Sequence, residues 1–298
     1  MPYRSSAFNK GMRMMLYFLL FSSLLCSAGE HLPLSKTFKG QAKFQSIARK
    51  AVKEQWRKLP MSDRMVKVAK ELEGLPYKSY TLEIDNHIES PSVNFEGMDC
   101  WTFFETCMCF CRMLETPKTA YHPSDLLRQI EWTRYRNGRC NGNYLDRIHY
   151  LAEWYVDNKK RGTIKDLTRS FPNTRMHNQC QEMSILWKSY RYLKHNPQLR
   201  PLMAKQEKRL NRMSVYMVPK HKVAGIERKL QNGDIIGIAS ANDGGYCSHV
   251  GIIVKDAQGR SRFMHASSSH KKVLIDSTIS GYLNKYRKHA GILVARPK

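Results

Sequence analysis

The pattern of apolar and polar positions is most informative between residues 96 and 115. Apolar side chains form two rows at helical spacing there, Trp101, Phe104, Met108 and Cys111 in one and Phe103, Cys107, Phe110 and Leu114 in the other. A helix that is apolar on two sides is usually buried, so this pattern predicts a central helix. Gly97 supplies a turn before the helix, and Asp99 is a suitable N-cap for a first residue at Cys100.

Helical periodicity dominates the chain up to about residue 214, and strand periodicity dominates after it. The predicted helices cover residues 41–59, 62–72, 100–114, 123–138, 144–157, 178–195 and 205–212. An extended segment at residues 79–84 and a polar loop at residues 85–96 precede the central helix. The predicted strands cover residues 234–240, 249–255, 262–268, 273–277 and 291–296. Helices followed by strands favour an α+β fold with an antiparallel sheet.

Cys100 falls in the first turn of the predicted central helix. Free backbone N–H groups and the positive end of the helix dipole favour a thiolate there, and a nearby histidine favours it further. We therefore expect a reactive Cys100 with a lowered pKa, although its position alone leaves a structural role equally open. Cys107, Cys109 and Cys111 lie within the helix, where cysteine more often serves as a buried apolar residue.

Two histidines fall on neighbouring predicted strands. His249 begins one strand, and His265 lies within the next. A turn centred on Gln258 places His249 opposite Ser267 and on the same face as His265, whereas a register shifted by one residue separates the two histidines. A cysteine at the start of a buried helix, facing a sheet with two stacked histidines, is typical of papain-like enzymes.

The first 28 residues have the pattern of a secretory signal peptide. Arg4, Lys10 and Arg13 form a basic start, and the apolar run at residues 14–25 is too short to span a bilayer comfortably. A small residue closes the segment at position 28, as a signal peptidase prefers. A lipid anchor at Cys26 is the disfavoured alternative, because Leu25 fits a lipidation site poorly. We therefore expect export to the periplasm and no integral membrane span after signal removal.

The net charge and the number of cysteines limit the classes of partner that the chain is expected to bind. The chain has 50 Lys and Arg against 25 Asp and Glu, a net charge of +25. In a cytosolic protein this charge favours nucleic acid, but in an exported protein an anionic cell-wall polymer is the better partner. An odd number of cysteines after the signal leaves at least one unpaired, and no paired CxxC motif predicts structural zinc. We expect a monomer that uses no cofactor, no metal and no nucleic acid.

The order of several short motifs resembles a known superfamily. Leu75-Pro76-Tyr77, Asp99-Cys100, His249-Val250-Gly251-Ile252 and His265-Ala266-Ser267 follow each other as in the NlpC-type papain-like cysteine amidases and peptidases of bacterial cell walls. Residues 99–105, 147–154 and 265–268 resemble its N-acetylmuramoyl-L-alanine amidase-like branch. The resemblance extends from about residue 61 to the C-terminus. It implies a single NlpC-type domain over residues 29–298, its central helix packed on an antiparallel sheet, with helical additions around residues 40–73 and 115–230.

The resemblance also implies roles for individual residues. It makes Cys100 the nucleophile, His249 the general base and His265 the residue that orients His249, with Tyr77 on the oxyanion side. The residues implied to contact the substrate are Asp99, Trp101, Arg147, His149, Tyr150 and Ser267. For Asp99, substrate contact and helix capping are equally open. Many NlpC-type endopeptidases have Ser-Gly after the nucleophile, whereas this chain has Trp101-Thr102, which favours the amidase branch.

The leading hypothesis is an exported cysteine amidase that hydrolyses the amide between N-acetylmuramic acid and L-alanine in peptidoglycan or muropeptides. One alternative is a γ-D-glutamyl-diamino acid endopeptidase on the same fold. Another is a non-catalytic, basic cell-wall-binding protein, which the intact Cys/His set argues against. A metal held by Cys247, His249 and His265 is disfavoured because a fourth ligand is missing.

Two further groups have open interpretations. His149 and Glu153 are predicted to share a helix face, either as a buried hydrogen-bonding pair or as part of the substrate site. A second group forms either a cationic wall with aromatic platforms for sugar and carboxylate or an ordinary amphipathic helix. Its members are Trp132, Arg134, Tyr135, Arg136 and Arg147.

Overall fold

The computed structural model describes residues 31–298. The predicted signal peptide and Cys26 lie outside the described residues. Among residues 31–298, no helix combines the length and the apolar character needed to cross a membrane.

The α-helices of the described residues are α1 (Leu34–Thr37), α2 (Gln41–Lys53), α3 (Met61–Glu71), α4 (Cys100–Met113), α5 (Pro123–Arg134), α6 (Leu151–Lys160), α7 (Glu182–Ile185), α8 (Arg191–His195), α9 (Arg200–Leu210), α10 (Lys220–Ile226) and α11 (Ile279–Asn284). Short 3₁₀ helices occur at Trp56–Lys58, Arg136–Gly138, Tyr144–Asp146, Thr168–Ser170, Trp187–Ser189, Pro197–Leu199 and Glu227–Lys229.

The strands of the same part of the chain are β1 (Phe38–Lys39), β2 (Val93–Asn94), β3 (Ile164–Asp166), β4 (Thr174–Arg175), β5 (Tyr216–Pro219), β6 (Ile235–Ser240), β7 (Cys247–Lys255), β8 (Ser261–Ser267), β9 (Lys272–Thr278) and β10 (His289–Pro297). The main sheet has the order β4-β5-β10-β6-β7-β8-β9, with β3 paired to β10, and its pairs are antiparallel. Strands β1 and β2 form a separate parallel pair. The α+β prediction with an antiparallel sheet is confirmed.

Helix α4 is the buried centre of the fold. Its Phe103, Phe104, Met108 and Phe110 side chains are fully buried. Burying a side chain of this kind contributes about 1.5–3 kcal/mol relative to exposure, so both apolar rows stabilise the helix against its neighbours. Helices α3 and α5 and strands β7 and β8 pack around it.

Helices pack on both faces of the sheet, because apolar side chains along its strands point alternately to one face and to the other. Val250 and Ile252 of β7 belong to the core that contains α4, whereas Ile253 and Phe263 belong to a second core with α10 and α11. A third cluster joins Tyr144 to α7, α8 and α9. These short helices therefore have a core of their own beside the main one.

The five predicted strands at residues 234–296 match β6 to β10 within two residues at each end. Two predicted helices, at residues 144–157 and 178–195, are only partly helical. Residues 147 and 148 are extended, because Ile148 N–H donates to the carbonyl of Arg134 and Tyr135 bridges to Arg147, so α6 begins only at Leu151. The single helix predicted at residues 178–195 is broken into α7, a 3₁₀ turn and α8.

Candidate active site

Cys100 is the first residue of α4, where Asp99 forms a capping box. Thr102 N–H donates to Oδ1 of Asp99 at 2.8 Å, and Asp99 N–H donates to the Thr102 hydroxyl at 3.1 Å. This cap fixes the helix start, so the half-buried Cys100 lies at the wall of a 540 Å³ cavity. The other oxygen of Asp99 accepts a hydrogen bond from the Thr81 hydroxyl at 2.7 Å.

His249 lines the same cavity and is backed by His265. The register of β7 and β8 pairs Ile252 with Met264 and is centred on Gln258, as predicted. His249 and His265 therefore share a face, and Nε2 of His249 lies 2.7 Å from Nδ1 of His265. Their face is the one that packs on Tyr282 of α11.

Cys100 and His249 line the same cavity from α4 and β7, two elements that pack on each other. The body of α4 packs on the face of Val250 and Ile252, opposite the face of His249. The backbone N–H of Val250 lowers the pKa of the Cys100 thiol and so favours its anionic form. Cys100 and His249, which are far apart in sequence, thus border one cavity.

The environment does not preform a thiolate, contrary to the lowered pKa that we expected for Cys100. Burial raises the pKa of the thiol to about 12, and the charge of Asp99 adds to this increase. The backbone N–H groups of Val250, Trp101 and Cys100 oppose it only in part. Burial also lowers the pKa of His249 well below its ordinary value, so at neutral pH a neutral thiol faces a neutral imidazole.

Tyr77 lies close enough to Cys100 for their charges to interact. Burial raises the pKa of Tyr77 to about 12, with smaller contributions from Cys100 and Asp99. Its backbone bridges to Met98 and its N–H donates to the carbonyl of Lys271. Tyr77 is therefore a neutral phenol at physiological pH, held beside the start of α4.

The structure brings most of the predicted site residues to one cavity. Those that line it are Asp99, Cys100, Trp101, Arg147, His149, Tyr150 and His249. His265 lies behind His249 and is 2% exposed. Ser267 is equally buried, and its hydroxyl hydrogen bonds with Ser269 and His270, so the predicted contact between Ser267 and substrate finds no support in this arrangement.

Arg147 is buried between two carboxylates. Its guanidinium lies 3.4 Å from an oxygen of Glu83 and 3.4 Å from an oxygen of Glu89, and it stacks over the ring of Tyr144. Its charge is therefore compensated inside the protein, which leaves it poorly suited to bind a substrate carboxylate.

His149 and Glu153 do not form the pair that their spacing predicts. Nε2 of His149 lies 3.0 Å from the carbonyl oxygen of Tyr144, whereas Glu153 forms ion pairs with Arg136 and Arg209. The reason is that His149 precedes α6 instead of lying within it. Burial and the charge of Arg147 lower the pKa of His149 well below its ordinary value, so it faces the cavity as a neutral ring.

The cationic wall, one of the two open interpretations of this group, does not form. Arg134 is buried and paired with Glu105, Arg136 is paired with Glu153, and Arg147 is compensated as described above. Tyr135 is fully buried and donates its hydroxyl hydrogen to Glu89. Each arginine meets a glutamate from a distant part of the chain, which charge spacing along one helix cannot show.

Sequence reasoning missed the wall that residues 182–207 contribute to the cavity. Met183, Tyr190 and Glu182 line it, and Tyr150 donates its hydroxyl hydrogen to Glu207 of α9 at 2.5 Å. The same Glu207 oxygen accepts the N–H groups of Met183 and Ser184 at the start of α7. The buried carboxylate of Glu207 thus holds residues 182–207 at the cavity wall. In the sequence, the one indication of this role is a single Glu within a basic helix.

Metal binding has no geometric support in residues 31–298, where no group of three or more His, Cys, Asp or Glu side chains is arranged to hold an ion. Within these residues the seven cysteines are all free thiols.

Sequence comparison gives the family. The family described as AmiA-like, N-acetylmuramoyl-L-alanine amidase-like, matches residues 67–292, a stretch that contains Cys100, His249 and His265. The chain belongs to this family. Among curated proteins, no match to the chain was found.

Solved structures resemble this AmiA-like chain over most of its length. An N-acetylmuramoyl-L-alanine amidase from Bacteroides uniformis ATCC 8492 is 28% identical, with a TM-score of 0.72, over 80% of this chain and 99% of that one. A Bacteroides fragilis protein provisionally described as a xylanase is 30% identical, with a TM-score of 0.69, over 76% and 98%. A Legionella pneumophila protein, 20% identical with a TM-score of 0.63 over 86% and 95%, shares the fold alone.

Proposed function

We propose that this protein is a cysteine amidase that hydrolyses the amide between N-acetylmuramic acid and L-alanine in peptidoglycan or muropeptides. At a coarser level, the family match and the amidase from Bacteroides uniformis support a peptidoglycan amidase. The observation that carries the cysteine mechanism is the cavity that Cys100 and His249 line together, with His265 at 2.7 Å behind His249. A papain-like fold of the NlpC type is the corresponding proposal for the architecture.

The first half of the reaction forms a thioester. His249 accepts the proton of the Cys100 thiol while the sulfur attacks the lactyl carbonyl carbon of the muramic acid. Because both groups are neutral at rest, proton transfer accompanies attack instead of preceding it. The tetrahedral intermediate expels the L-alanine nitrogen, which takes the proton from His249, and the stem peptide leaves with a free amine.

The intermediate needs donors for its oxyanion. The first backbone N–H groups of α4, at Cys100 and Trp101, have no intrahelical acceptor and lie at the cavity wall. Tyr77, a neutral phenol beside Cys100, is a further donor. These groups form the oxyanion side of the proposed site.

The second half releases the sugar. His249 takes a proton from a water molecule, whose oxygen attacks the thioester carbonyl carbon. The sulfur leaves and regains a proton from His249, which restores the neutral thiol and releases the muramic acid carboxylic acid. Every proton in this cycle passes through His249, so the whole reaction depends on that one imidazole.

Digestion of defined muropeptides tests the proposal. Wild-type protein and Cys100→Ala are incubated with muramoyl tripeptides and tetrapeptides, and the products are identified by mass spectrometry. Free stem peptides that begin with L-alanine, formed by wild type but not by Cys100→Ala, are the expected result. Sugar–L-Ala–D-Glu fragments instead would make the protein an endopeptidase. No turnover, combined with tight retention on peptidoglycan, would make it a binding protein.

Cys247→Ala is the matched control. Cys247 is a second half-buried cysteine on the wall of the same cavity, and burial raises the pKa of its thiol as well. Its removal should leave turnover within about threefold of wild type, because Cys247 takes no part in the proposed bond making or proton transfers. Equal losses in both variants would mean that cavity packing, not a nucleophile, controls activity.

Xylan is included as a substrate because of the structural neighbour described as a xylanase. Glycoside hydrolysis generally needs two carboxyl groups facing each other across the cleft. Here Glu83 lies against Arg147 and Asp99 caps α4, so two of the acidic side chains that line the cavity are already engaged. We expect no release of reducing sugar from xylan.

Export through the signal peptide at residues 1–28 is part of the proposal, because the substrate lies outside the cytoplasm. Intact-mass measurement of protein from an exporting host should give a chain that begins at Gly29. A retained Met1, or a lipid on Cys26, would contradict this processing site.

A further inference from the structure

We propose that Asp276 is a positioning residue that holds the proton of His265 on Nε2, which makes Nδ1 of His249 the atom that receives the thiol proton. This inference rests on the proposed function and extends the Cys100–His249–His265 arrangement by a fourth residue. Asp276 lies on β9, the strand next to the one that carries His265.

A carboxylate lies near Nε2 of His265. Its Nε2 atom is buried and makes no hydrogen bond within residues 31–298, and Oδ2 of Asp276 lies 3.6 Å away. A buried N–H without an acceptor costs about 1–3 kcal/mol. The carboxylate that faces this nitrogen is therefore the group that stabilises a proton there, and a small approach of the two side chains completes the hydrogen bond.

The two oxygens of Asp276 have separate partners. Lys285, the residue that follows α11, forms an ion pair with Oδ1, and the backbone N–H of Ser277 also donates to Oδ1. Oδ2 is left for His265. These contacts lower the pKa of Asp276 to about 2 and keep its carboxyl group ionised. Asp276 can therefore act only as an acceptor toward His265.

The position of each proton along the chain of groups then follows. With its proton on Nε2, His265 has a lone pair on Nδ1, which must accept the hydrogen bond across the 2.7 Å to His249. His249 therefore carries its own proton on Nε2. Its Nδ1 keeps the lone pair and is free to take a proton from Cys100.

The same series of hydrogen bonds stabilises His249 when it is protonated and positively charged. After His249 takes the thiol proton, both of its nitrogens are protonated and Nε2 still donates to His265. The negative charge of Asp276 lies at the far end of these hydrogen bonds and stabilises the cation without itself taking up a proton.

Asp276→Asn tests the inference because it replaces the acceptor that faces Nε2 of His265 with a donor. Lys285 and Ser277 favour the amide oxygen on their side, so the amide NH₂ group faces Nε2 of His265. His265 must then carry its proton on Nδ1, and His249 must carry its proton on the nitrogen meant to receive one from Cys100. On defined muropeptides we expect kcat to fall about 100-fold with KM within about threefold, as for loss of an outer partner of a catalytic histidine.

Two variants serve as controls. Lys285→Met removes the ion pair but keeps the carboxylate, and should leave kcat within about threefold. Asp234→Asn makes the same substitution at a buried aspartate that directly precedes β6 and pairs with Arg296, outside the hydrogen bonds of the two histidines. If Asp234→Asn and Asp276→Asn lower kcat equally at equal loss of thermal stability, Asp276 is only structural and the inference is overturned.

Long-range ¹H–¹⁵N spectra of ¹⁵N-histidine-labelled protein provide a readout that does not need activity. In wild type we expect an unprotonated Nδ1 and a protonated Nε2 for both His249 and His265, and in Asp276→Asn the opposite. Unchanged tautomers in Asp276→Asn overturn the inference. Failure of wild type to cleave any muropeptide defeats the proposed function, but these spectra still decide the tautomers.

Discussion

Arg134 and Glu105 form an ion pair inside the core, where Nε and Nη2 of Arg134 donate to the same oxygen of Glu105 at 2.8 and 2.6 Å. Glu105 lies on α4, one and a half turns after Cys100, and Arg134 is the last residue of α5. Both side chains are at most 1% exposed. This pair links the helix that carries the proposed nucleophile to its neighbour.

Removing one partner of this pair should strongly destabilise the protein. Glu105→Ala leaves a buried guanidinium without its carboxylate, and we expect the free energy of unfolding to fall by about 3–5 kcal/mol. Urea denaturation followed by circular dichroism measures it. The double variant Glu105→Leu/Arg134→Met should recover most of the loss, because it leaves no uncompensated charge. A loss below 1 kcal/mol for Glu105→Ala would contradict the described pairing.

Two substitutions decide whether Asp99 only caps α4 or also binds the substrate. Asn retains helix-capping ability, so Asp99→Asn should keep stability, whereas Asp99→Ala should lose about 1 kcal/mol. If capping is its whole role, Asp99→Asn also keeps its KM for muropeptides. A KM raised tenfold or more in Asp99→Asn, with unchanged thermal stability, would instead make Asp99 a substrate ligand.

The two histidines should differ in their effect on turnover. His249→Ala removes the proposed base, and we expect a loss of about 10⁴-fold in kcat. His265→Ala removes only the residue that orients His249, so about 10–100-fold is expected. Steady-state kinetics on one muropeptide gives both numbers. Full activity of His249→Ala would overturn its assignment, and activity lost to EDTA and restored by zinc would favour a metal site.

Alkylation of Cys100 should be slow at neutral pH. Since burial raises the pKa of this thiol to about 12, iodoacetamide labelling should still be increasing at pH 10, where an ordinary thiol near 8.5 has reached its plateau. Peptide mapping assigns the label to Cys100, with Cys100→Ala as the blank. A plateau below pH 8 would show that the helix dipole outweighs burial and that a thiolate is preformed.

Stability should fall as the pH decreases from 6.5 to about 4. Burial lowers the pKa of His265 from 6.5 to about 4, so in this range the unfolded chain binds a proton that the folded chain does not. Lower pH therefore favours unfolding, by about 3 kcal/mol from this residue at the acid end of the range. Urea midpoints at pH 7 and 4 measure the change. His265→Gln should reduce the difference, and the exposed His221→Gln should not.

The sheet and the Cys/His pair could be predicted from the sequence because both depend on short-range patterns. The alternation of inward and outward side chains along β7 and β8, together with a turn centred on Gln258, fixes the register of the two strands. The register in turn places His249 and His265 on the same face. A capped, doubly apolar helix likewise identifies α4 as the buried element. Local periodicity and turn chemistry carry this information.

The region between residues 144 and 210 could not be predicted in the same way, because its helices begin at partners distant in sequence. Glu207 accepts the first N–H groups of α7, and Glu83 accepts the N–H of Tyr192 in α8. Burial determined the outcome at Cys100 as well, since desolvation outweighs the helix N-terminus. Such contacts depend on the completed tertiary structure.

The segment that walls the cavity has its own small core, built on Met183, Tyr192 and Met203, apart from the core that holds α4. Under the proposed function, selection of the substrate and cleavage of the bond would therefore be encoded in separate stretches of the gene. On this proposal, we expect substitutions between residues 180 and 210 to leave Cys100 and His249 in place. Related enzymes that act on different cell walls should accordingly differ most in this stretch, which is where engineering of a new specificity should begin.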